Sequence, residues 1–279
     1  MDDSSTYICA SADGTKLFGY IWPCPNPRAV MSLVHGFGEH SGRYGHMAAA
    51  LNAQNIAVVA IDLRGHGRSE GKRGVVNSYE DFRADLKCLR DKTRQLYPNI
   101  PHILYGHSMG GGVVMDYGLD KDDMAKDNLK AIIASAPLIK LAKPPAPIMT
   151  PIVKTLRFFN RKGAIKQPID GTKVSSLKPE QRLYMEDLFN HGQCGFGTAI
   201  GMVETGDGIA SRAAQWETPL LLLHSRDDVL TDFTASETFA NSAQHTEFHA
   251  FDNSAHELHN DIHRAQIYSL MTDFINQYI

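Results

Sequence analysis

The sequence has few cysteines, no long hydrophobic run and little net charge. Its four cysteines (Cys9, Cys24, Cys88 and Cys194) form no CxxC pair, which argues against a zinc ribbon or a redox motif. We therefore expect free thiols in a reducing, cytoplasmic compartment. The apolar runs are strand-sized, none approaches the roughly 18 residues of a membrane span, and the acidic N-terminus lacks the apolar segment of a signal peptide. A net charge of −3 gives no bias toward nucleic acid.

Short apolar runs alternate with amphipathic segments along most of the chain. Six runs are predicted strands, and most are continuously apolar, as parallel strands buried on both faces are: residues 29–36, 56–63, 101–108, 129–137, 218–225 and 246–252. Helical patterns separate them, which predicts an α/β fold with a mainly parallel sheet flanked by helices. An antiparallel hairpin that turns at Asp13-Gly14 precedes them.

The alternation stops between Pro137 and Trp216. This stretch has no good buried strand, and it carries prolines and helical patterns over a length far beyond the dozen or so residues that a crossover needs. We predict an inserted, mostly helical cap at residues 138–215. The core is then built from residues 1–137 and 216–279.

One serine lies among small residues where a predicted strand meets a predicted helix. GHSMG, residues 106–110, fits G-x-S-x-G in the context that a nucleophile elbow requires. The flanking glycines avoid collisions at a tight turn, and the N-terminus of the following helix favours negative charge. Ser108 is therefore a candidate nucleophile, and a glycine-rich turn without chemistry is the alternative.

Candidate acids and bases follow later strands, in the order serine, acid, histidine that this arrangement requires. Asp227, Asp228 and Asp232 follow one strand, and His256 and His259 follow the next. The carboxyl ends of parallel strands build the site of an open sheet. A solvated acidic loop and a surface histidine pair are the alternatives, and HELH is not the HExxH of a zinc site. We interpret seven further histidines as structural or solvated: His40, His46, His66, His191, His245, His249 and His263.

An oxyanion also needs backbone N–H donors. The amide of Met109 directly follows the serine. A second donor is expected from the glycine-containing loop after an early strand, where the amide of Phe37 is the candidate. A phosphate-binding loop is not indicated, because the sequence lacks GxxxxGK[ST].

Three segments resemble signatures of the monoacylglycerol lipase branch of the α/β-hydrolase superfamily. They are HGFGEHSGRY (35–44), DLRGHGRSEGKRG (62–74) and GHSMGG (106–111). The resemblance implies the α/β-hydrolase fold with a cap and a serine hydrolase that cleaves glycerol esters without metal or organic cofactor. It selects Ser108, Asp228 and His256 as the triad, with the Phe37 and Met109 amides for the oxyanion.

The resemblance further implies that polar groups near the nucleophile hold the glycerol hydroxyls. The matching positions are Glu39, Arg43, His107 and Tyr184, and an internal ion pair is the alternative for the first two. Monoacylglycerol is the expected substrate. A lysophospholipase, a broad carboxylesterase and a non-catalytic ligand-binding protein remain alternatives.

The cap departs from the family and carries a basic segment. EDLF, residues 186–189, stands where the family has a DPL-like step. Ile148, Ile152, Leu156 and Phe159 recur at helical spacing in a basic stretch, which is typical of an interfacial helix that contacts lipid. A core-facing helix with a solvated cationic side is the alternative. From Leu129 to Ile169 there is no acidic residue but eight basic ones: Lys130, Lys140, Lys143, Lys154, Arg157, Arg161, Lys162 and Lys166.

Overall fold

The computed structural model describes residues 4–144, 149–160 and 162–279. The strands are β1 (Ser5–Ala10), β2 (Lys16–Trp22), β3 (Ala29–Val34), β4 (Ile56–Ile61), β5 (His102–His107), β6 (Leu129–Ser135), β7 (Ala164–Lys166), β8 (Gln193–Gly195), β9 (Leu220–Ser225) and β10 (Thr246–Phe251). The helices are α1 (Gly45–Asn52), α2 (Glu80–Leu96), α3 (Met109–Gly118), α4 (Lys121–Lys126), α5 (Met149–Phe159), α6 (Lys178–Glu186), α7 (Phe196–Ser211), α8 (Phe233–Ser242) and α9 (Arg264–Asn276).

Eight strands form one sheet in the order β1-β2-β4-β3-β5-β6-β9-β10. β2 runs antiparallel to both of its neighbours, and the remaining pairs are parallel. Every residue of β3, β4, β5 and β9 is buried, as the continuously apolar runs predict. The predicted fold class, the six strands and the early hairpin are confirmed.

Helices cover both faces of the sheet. On one face α2, α3 and α8 pack over a cluster that includes Leu86, Val113 and Phe239. On the other face α1 and α9 pack over a cluster that includes Met47 and Met271. Within the described ranges, no helix combines the length and the apolar character needed to cross a bilayer.

The insertion between β6 and β9 contains α5, α6 and α7 and the short antiparallel pair β7–β8. Neither the strand pair nor α7, whose sequence is rich in glycine, was predicted individually within the mostly helical cap. A Cβ on Gly197 would lie 2.2 Å from the Val76 carbonyl oxygen, and one on Gly206 would lie 2.1 Å from that of Ile139. The glycines therefore let this helix lie directly against the backbone of Val76 and Ile139. The division at residues 138 and 215 stays a prediction.

The cysteines differ from expectation. Cys9 on β1 and Cys88 on α2 are joined by a disulfide, whereas Cys24 and Cys194 are free. The expectation of four free thiols is therefore wrong for one pair. Because 79 residues separate the partners in sequence, only the packing of α2 beside the edge strand brings them together.

A buried ion pair anchors α2 to the sheet. Arg90 donates to both carboxylate oxygens of Asp127, at 2.9 and 2.6 Å, and to Ser32 Oγ on β3 at 2.8 Å. Both charged side chains are fully buried. Burial alone would raise the pKa of Asp127, but the bonds from Arg90 lower it to about 2. The carboxylate therefore stays charged inside the protein.

Replacing Arg90 with Met should lower the free energy of unfolding by about 3–5 kcal/mol, because the Asp127 carboxylate is left without its main partner. Urea unfolding measures the change. Lys121→Met is the matched control, since it breaks a 2.8 Å pair with Glu217 whose two side chains are more than 70% exposed. An exposed pair contributes little. An equal decrease in the free energy of unfolding in the two variants would contradict the conclusion that the buried ion pair matters more than the exposed one.

Candidate active site

Ser108 occupies a sharp turn between β5 and α3. Its φ of 54° and ψ of −119° are strained for a residue with a side chain. A Cβ on Gly106 would lie 2.3 Å from the Gly110 carbonyl oxygen, and a Cβ on Gly110 would lie 2.4 Å from that of Val34. Only glycine fits at these two positions. The turn presents a partly exposed serine at the carboxyl edge of the sheet.

The candidate acid lies in the loop after β9. The Asp228 Oδ1 atom accepts backbone N–H bonds from Leu230 (2.8 Å) and Thr231 (3.2 Å), which fix the carboxylate plane. The Oδ2 atom lies 2.6 Å from His256 Nδ1. Asp227, by contrast, is exposed and accepts from the backbone N–H of Asn253. The geometry therefore distinguishes the two acids in favour of Asp228.

The candidate base follows β10. Because the Asp228 carboxylate only accepts, Nδ1 of His256 carries the proton, and Nε2 is left with the lone pair that a base needs. Burial alone would lower the pKa of His256, but the charge of Asp228 and the hydrogen bond to it raise the pKa. The His256 ring lies 4.7 Å from that of His107, the residue before Ser108. The structure thus brings the three predicted residues to the same edge of the sheet.

The predicted oxyanion loop lies against Ser108. A Cβ on Gly36 would lie only 3.2 Å from that of Ser108. His35 anchors the loop, since its Nε2 accepts from the Leu63 N–H at 3.0 Å. Met109 is the first residue of α3, where backbone N–H groups have no partner within the helix. The amides of Phe37 and Met109 therefore remain the candidate donors.

Glu39 and Arg43 take part in an internal ion-pair network. Glu39 accepts from the Gly36 N–H (2.7 Å), the Tyr44 hydroxyl (2.7 Å) and Arg43 (2.6 Å). Arg43 also donates to both oxygens of Glu257, at 2.6 and 2.7 Å. Both members are buried. This geometry favours the alternative interpretation, in which the ion pair supports the loop. Direct contact of Glu39 and Arg43 with substrate stays a prediction.

Tyr184 and His107 lie beside this network. The Arg43 guanidinium is 4.8 Å from the centre of the Tyr184 ring, so α6 of the cap covers the ion pair. His107 donates from Nδ1 to the Ser135 carbonyl oxygen at 3.1 Å, which leaves Nε2 as an acceptor. Burial and the neighbouring His256 hold the pKa of His107 well below its usual value, so its ring is neutral.

His259 belongs to the same group, although sequence reasoning offered it only as a second candidate base. Its ring stacks on Tyr44 at 4.6 Å and lies 4.8 Å from His107. Both ring nitrogens are buried without a hydrogen-bond partner in the structure. Burial lowers its pKa to about 4, so it is neutral near pH 7. A neutral imidazole offers one donor and one acceptor. The six residues Glu39, Arg43, His107, Tyr184, Glu257 and His259 are called the polar cluster below.

A cavity of about 660 Å³ adjoins the polar cluster at Arg43. It lies between α6 of the cap and the segment that follows β2, and the triad residues are not in its wall. At its rim the cap is tied to the oxyanion loop, because Asp187 Oδ2 lies 2.8 Å from His40 Nε2. Asp187 is part of the EDLF segment, so the stretch that departs from the family pattern contacts the loop after β3.

The basic segment does not form a single patch. Lys130 lies at the start of β6, at the edge of the sheet opposite the candidate site. Lys154 pairs with Glu204 at 2.7 Å, and Arg157 donates to the Asn77 carbonyl oxygen. Ile148 and Arg161 lie outside the described residues.

The apolar positions of α5 are not buried. Ile152 and Leu156 are 43% and 45% exposed, and the next pair, Phe158 and Phe159, are 79% and 81% exposed. A core-facing helix is therefore wrong for the described positions. Among the residues that the structure describes, no group of three or more His, Cys, Asp or Glu side chains is arranged to hold a metal ion.

Comparison with known proteins places this geometry among hydrolases. A monoacylglycerol lipase from Mycolicibacterium smegmatis is 29% identical over 97% of this chain and 96% of its own length. An uncharacterized abhydrolase domain-containing protein from Dictyostelium discoideum is 31% identical over 99% of this chain, which spans 29% of that protein. The crystal structure of Paleococcus ferrophilus monoacylglycerol lipase superposes with a TM-score of 0.84 at 24% identity, covering 94% of this chain and 99% of the other.

The family model described as serine aminopeptidase, S33, matches residues 25–263. This match includes the serine turn, the candidate acid and the candidate base, and the fold it implies is the one observed. The chain therefore belongs to the serine aminopeptidase S33 family, in the monoacylglycerol lipase-like branch of the α/β-hydrolases.

Proposed function

We propose that this chain hydrolyses monoacylglycerols to fatty acid and glycerol through an acyl-enzyme on Ser108. The observation that carries the proposal is the Asp228–His256 pair at the same sheet edge as a serine on a strained turn. The relative from Mycolicibacterium smegmatis is named for this activity and matches nearly the whole chain.

The chemistry follows from the proton positions. Nε2 of His256 takes the hydroxyl proton of Ser108 as the oxygen attacks the acyl carbonyl. The N–H groups of Phe37 and Met109 bind the oxyanion. His256 then returns the proton to the departing glycerol oxygen, and water releases the fatty acid by the same steps.

Because neutral His256 is required and its pKa is raised above 6.5, activity should be lost as the pH falls through a value above 6.5.

The polar cluster favours an uncharged headgroup. Arg43 is held by two carboxylates, so its charge is not available to a phosphate. Both carboxylates are in turn occupied by Arg43 and neighbouring donors, so they are poorly placed to bind an amino terminus. His107 and His259 are neutral and offer hydrogen bonds. This combination suits glycerol hydroxyls better than a lysophospholipid headgroup or an aminoacyl group.

A substrate panel tests the proposed function. Monoacylglycerols should be cleaved faster than a lysophospholipid or an aminoacyl amide, and Ser108→Ala should lower turnover by about 10⁴-fold or more. Circular dichroism of the variant and labelling of the wild type by a fluorophosphonate are the controls. Preference for either rival substrate, or wild-type rates in a folded Ser108→Ala protein, would contradict the proposal.

The two neighbouring acids make a matched pair of variants. Asp228→Asn should reduce turnover by about 10⁴-fold, by analogy with serine proteases, because an amide no longer holds His256 in the required tautomer. Asp227→Asn should have little effect, since Asp227 is exposed and bonds only to loop backbone. Turnover of a short soluble ester at fixed pH measures both. The reverse order of effects would show that the acid is misassigned.

We propose further that the cap touches lipid through the exposed apolar residues of α5. Phe158 and Phe159 project into solvent beside cationic side chains, a combination typical of interfacial helices. Long-chain monoacylglycerols aggregate, so the protein has to reach them at an interface. Anionic vesicles should bind more strongly than neutral ones, and salt should weaken binding because exposed cations are screened.

Replacing Phe158 and Phe159 together with Ser should reduce co-sedimentation with vesicles and hydrolysis of long-chain monoacylglycerol. Hydrolysis of a soluble short-chain ester should hardly change, since the triad is elsewhere. Ile8→Ser is the matched control, because Ile8 is 67% exposed but lies on β1, away from the cap. A double variant that sediments like the wild type would show that α5 does not contact lipid.

A further inference from the structure

A second histidine contacts the carboxylate of Asp228. His224 is the fifth residue of β9, after four leucines, and is fully buried. Its Nε2 atom lies 3.1 Å from Asp228 Oδ2, the same oxygen that faces His256. Its Nδ1 atom lies 2.8 Å from the Ser236 hydroxyl on α8. Both ring nitrogens are therefore engaged, one of them by the candidate catalytic acid.

The Asp228 carboxylate determines where the protons lie on the Ser236–His224–Asp228 contacts. An ionised carboxylate only accepts, so Nε2 of His224 carries the proton that faces Asp228. In a neutral ring Nδ1 then accepts, so the Ser236 hydroxyl donates to it. The serine hydroxyl thus selects the tautomer of His224 that can donate to the carboxylate.

We propose that Ser236 and His224 form an outer relay that positions and partly neutralises the Asp228 carboxylate, so that one carboxylate oxygen serves two histidines with different tasks. His256 takes part in proton transfer. His224 is a positioning residue, since it acts on the reaction only through Asp228. The inference rests on the proposed function, because it deepens the role of the same triad.

The relay has a defined electrostatic effect. A donor to Oδ2 disperses part of the carboxylate charge and so limits how tightly Asp228 holds a protonated His256. Burial alone would raise the pKa of Asp228, but the charge of His256 and the bond from His224 hold it well below its usual value. Removing the donor should therefore strengthen the pull on the His256 proton and move the loss of activity to higher pH.

Other groups also surround the two histidines. The Thr231 hydroxyl is a second donor to Oδ2, at 2.7 Å, and it also lies 3.1 Å from the Ala136 carbonyl oxygen, 3.3 Å from His224 Nε2 and 3.4 Å from His256 Nδ1. The ring of Phe233 faces His224 at 5.8 Å and supplies no donor. His256 is also influenced by the neutral ring of His107 and the carboxylates of Glu39 and Glu257. The contacts of His256 with His107, Glu39 and Glu257 do not involve His224, so replacing His224 leaves them in place.

The test compares three variants of the full chain by two measurements. His224→Leu removes the donor at similar volume, His224→Gln keeps an N–H that can face Asp228, and Ser236→Ala removes the control of the tautomer. The pH dependence of kcat and KM for a soluble ester is measured together with the rate at which a fluorophosphonate labels Ser108. His249→Leu and Ser242→Ala are matched controls, because their partners are Glu247 and the Thr238 carbonyl oxygen.

His224→Leu should lower kcat by roughly 10-fold, since one hydrogen bond to a charged group is lost, with KM unchanged and the acid limb at higher pH. His224→Gln should restore most of the rate, and Ser236→Ala should show a smaller change in the same direction. The relay would be overturned if His224→Leu kept the wild-type rate and the wild-type acid limb. It would also be overturned if His224→Gln were as slow as His224→Leu.

Two further outcomes separate the possible failures. If His224→Leu does not fold, an unchanged rate and acid limb in Ser236→Ala overturn the relay, and a shifted limb supports it. If the wild type reacts with the fluorophosphonate but cleaves no glycerol ester, the proposed function fails, while the labelling rates still decide the relay.

Discussion

The backbone at Ser108 is the constraint around which the site is built. A residue with a side chain at φ 54° persists only if the surrounding structure holds it there. Here the carbonyl oxygens of Val34 and Gly110 lie so close that the glycines at 106 and 110 admit no Cβ. The same close packing brings β3 and its following loop against the serine. The candidate nucleophile and the predicted oxyanion loop are therefore positioned by one set of backbone contacts.

Buried charge organises what surrounds the nucleophile. Arg43 joins Glu39 of the oxyanion loop to Glu257, the residue after the candidate base, and Tyr184 of the cap lies over it. One guanidinium thus links three segments that are distant in the chain. One guanidinium and two carboxylates leave the polar cluster with one net negative charge, but each charged group is held by direct bonds within the cluster. The proposed preference for glycerol over charged headgroups follows from this engagement of every charged group.

The insertion shows how the same residues can be interpreted in two ways. The sequence of α7 is rich in glycine and was not predicted as a helix, yet Gly197 and Gly206 are where this helix meets the backbone of Val76 and Ile139. The apolar residues that recur on α5 fit either an interfacial helix or a core-facing one, and the structure leaves Phe158 and Phe159 facing solvent. The local sequence of α5 and α7 does not determine what each helix packs against. Segments that are distant in the chain determine it. Local pattern does not contain that information.

The sequence by itself determined the six core strands in their chain order, the turn at Ser108 and a small set of candidate acids and bases after later strands, because continuous apolar runs and glycine spacing act locally. The resemblance to a known family then selected Asp228 and His256 from that set. Only the tertiary structure decided that Glu39 and Arg43 form an ion pair and that Cys9 meets Cys88. It likewise placed His224 against the candidate acid and left both ring nitrogens of His259 without a hydrogen-bond partner. Hydrogen bonds and burial at these residues depend on segments brought together by the sheet, which is why tertiary packing had to decide them.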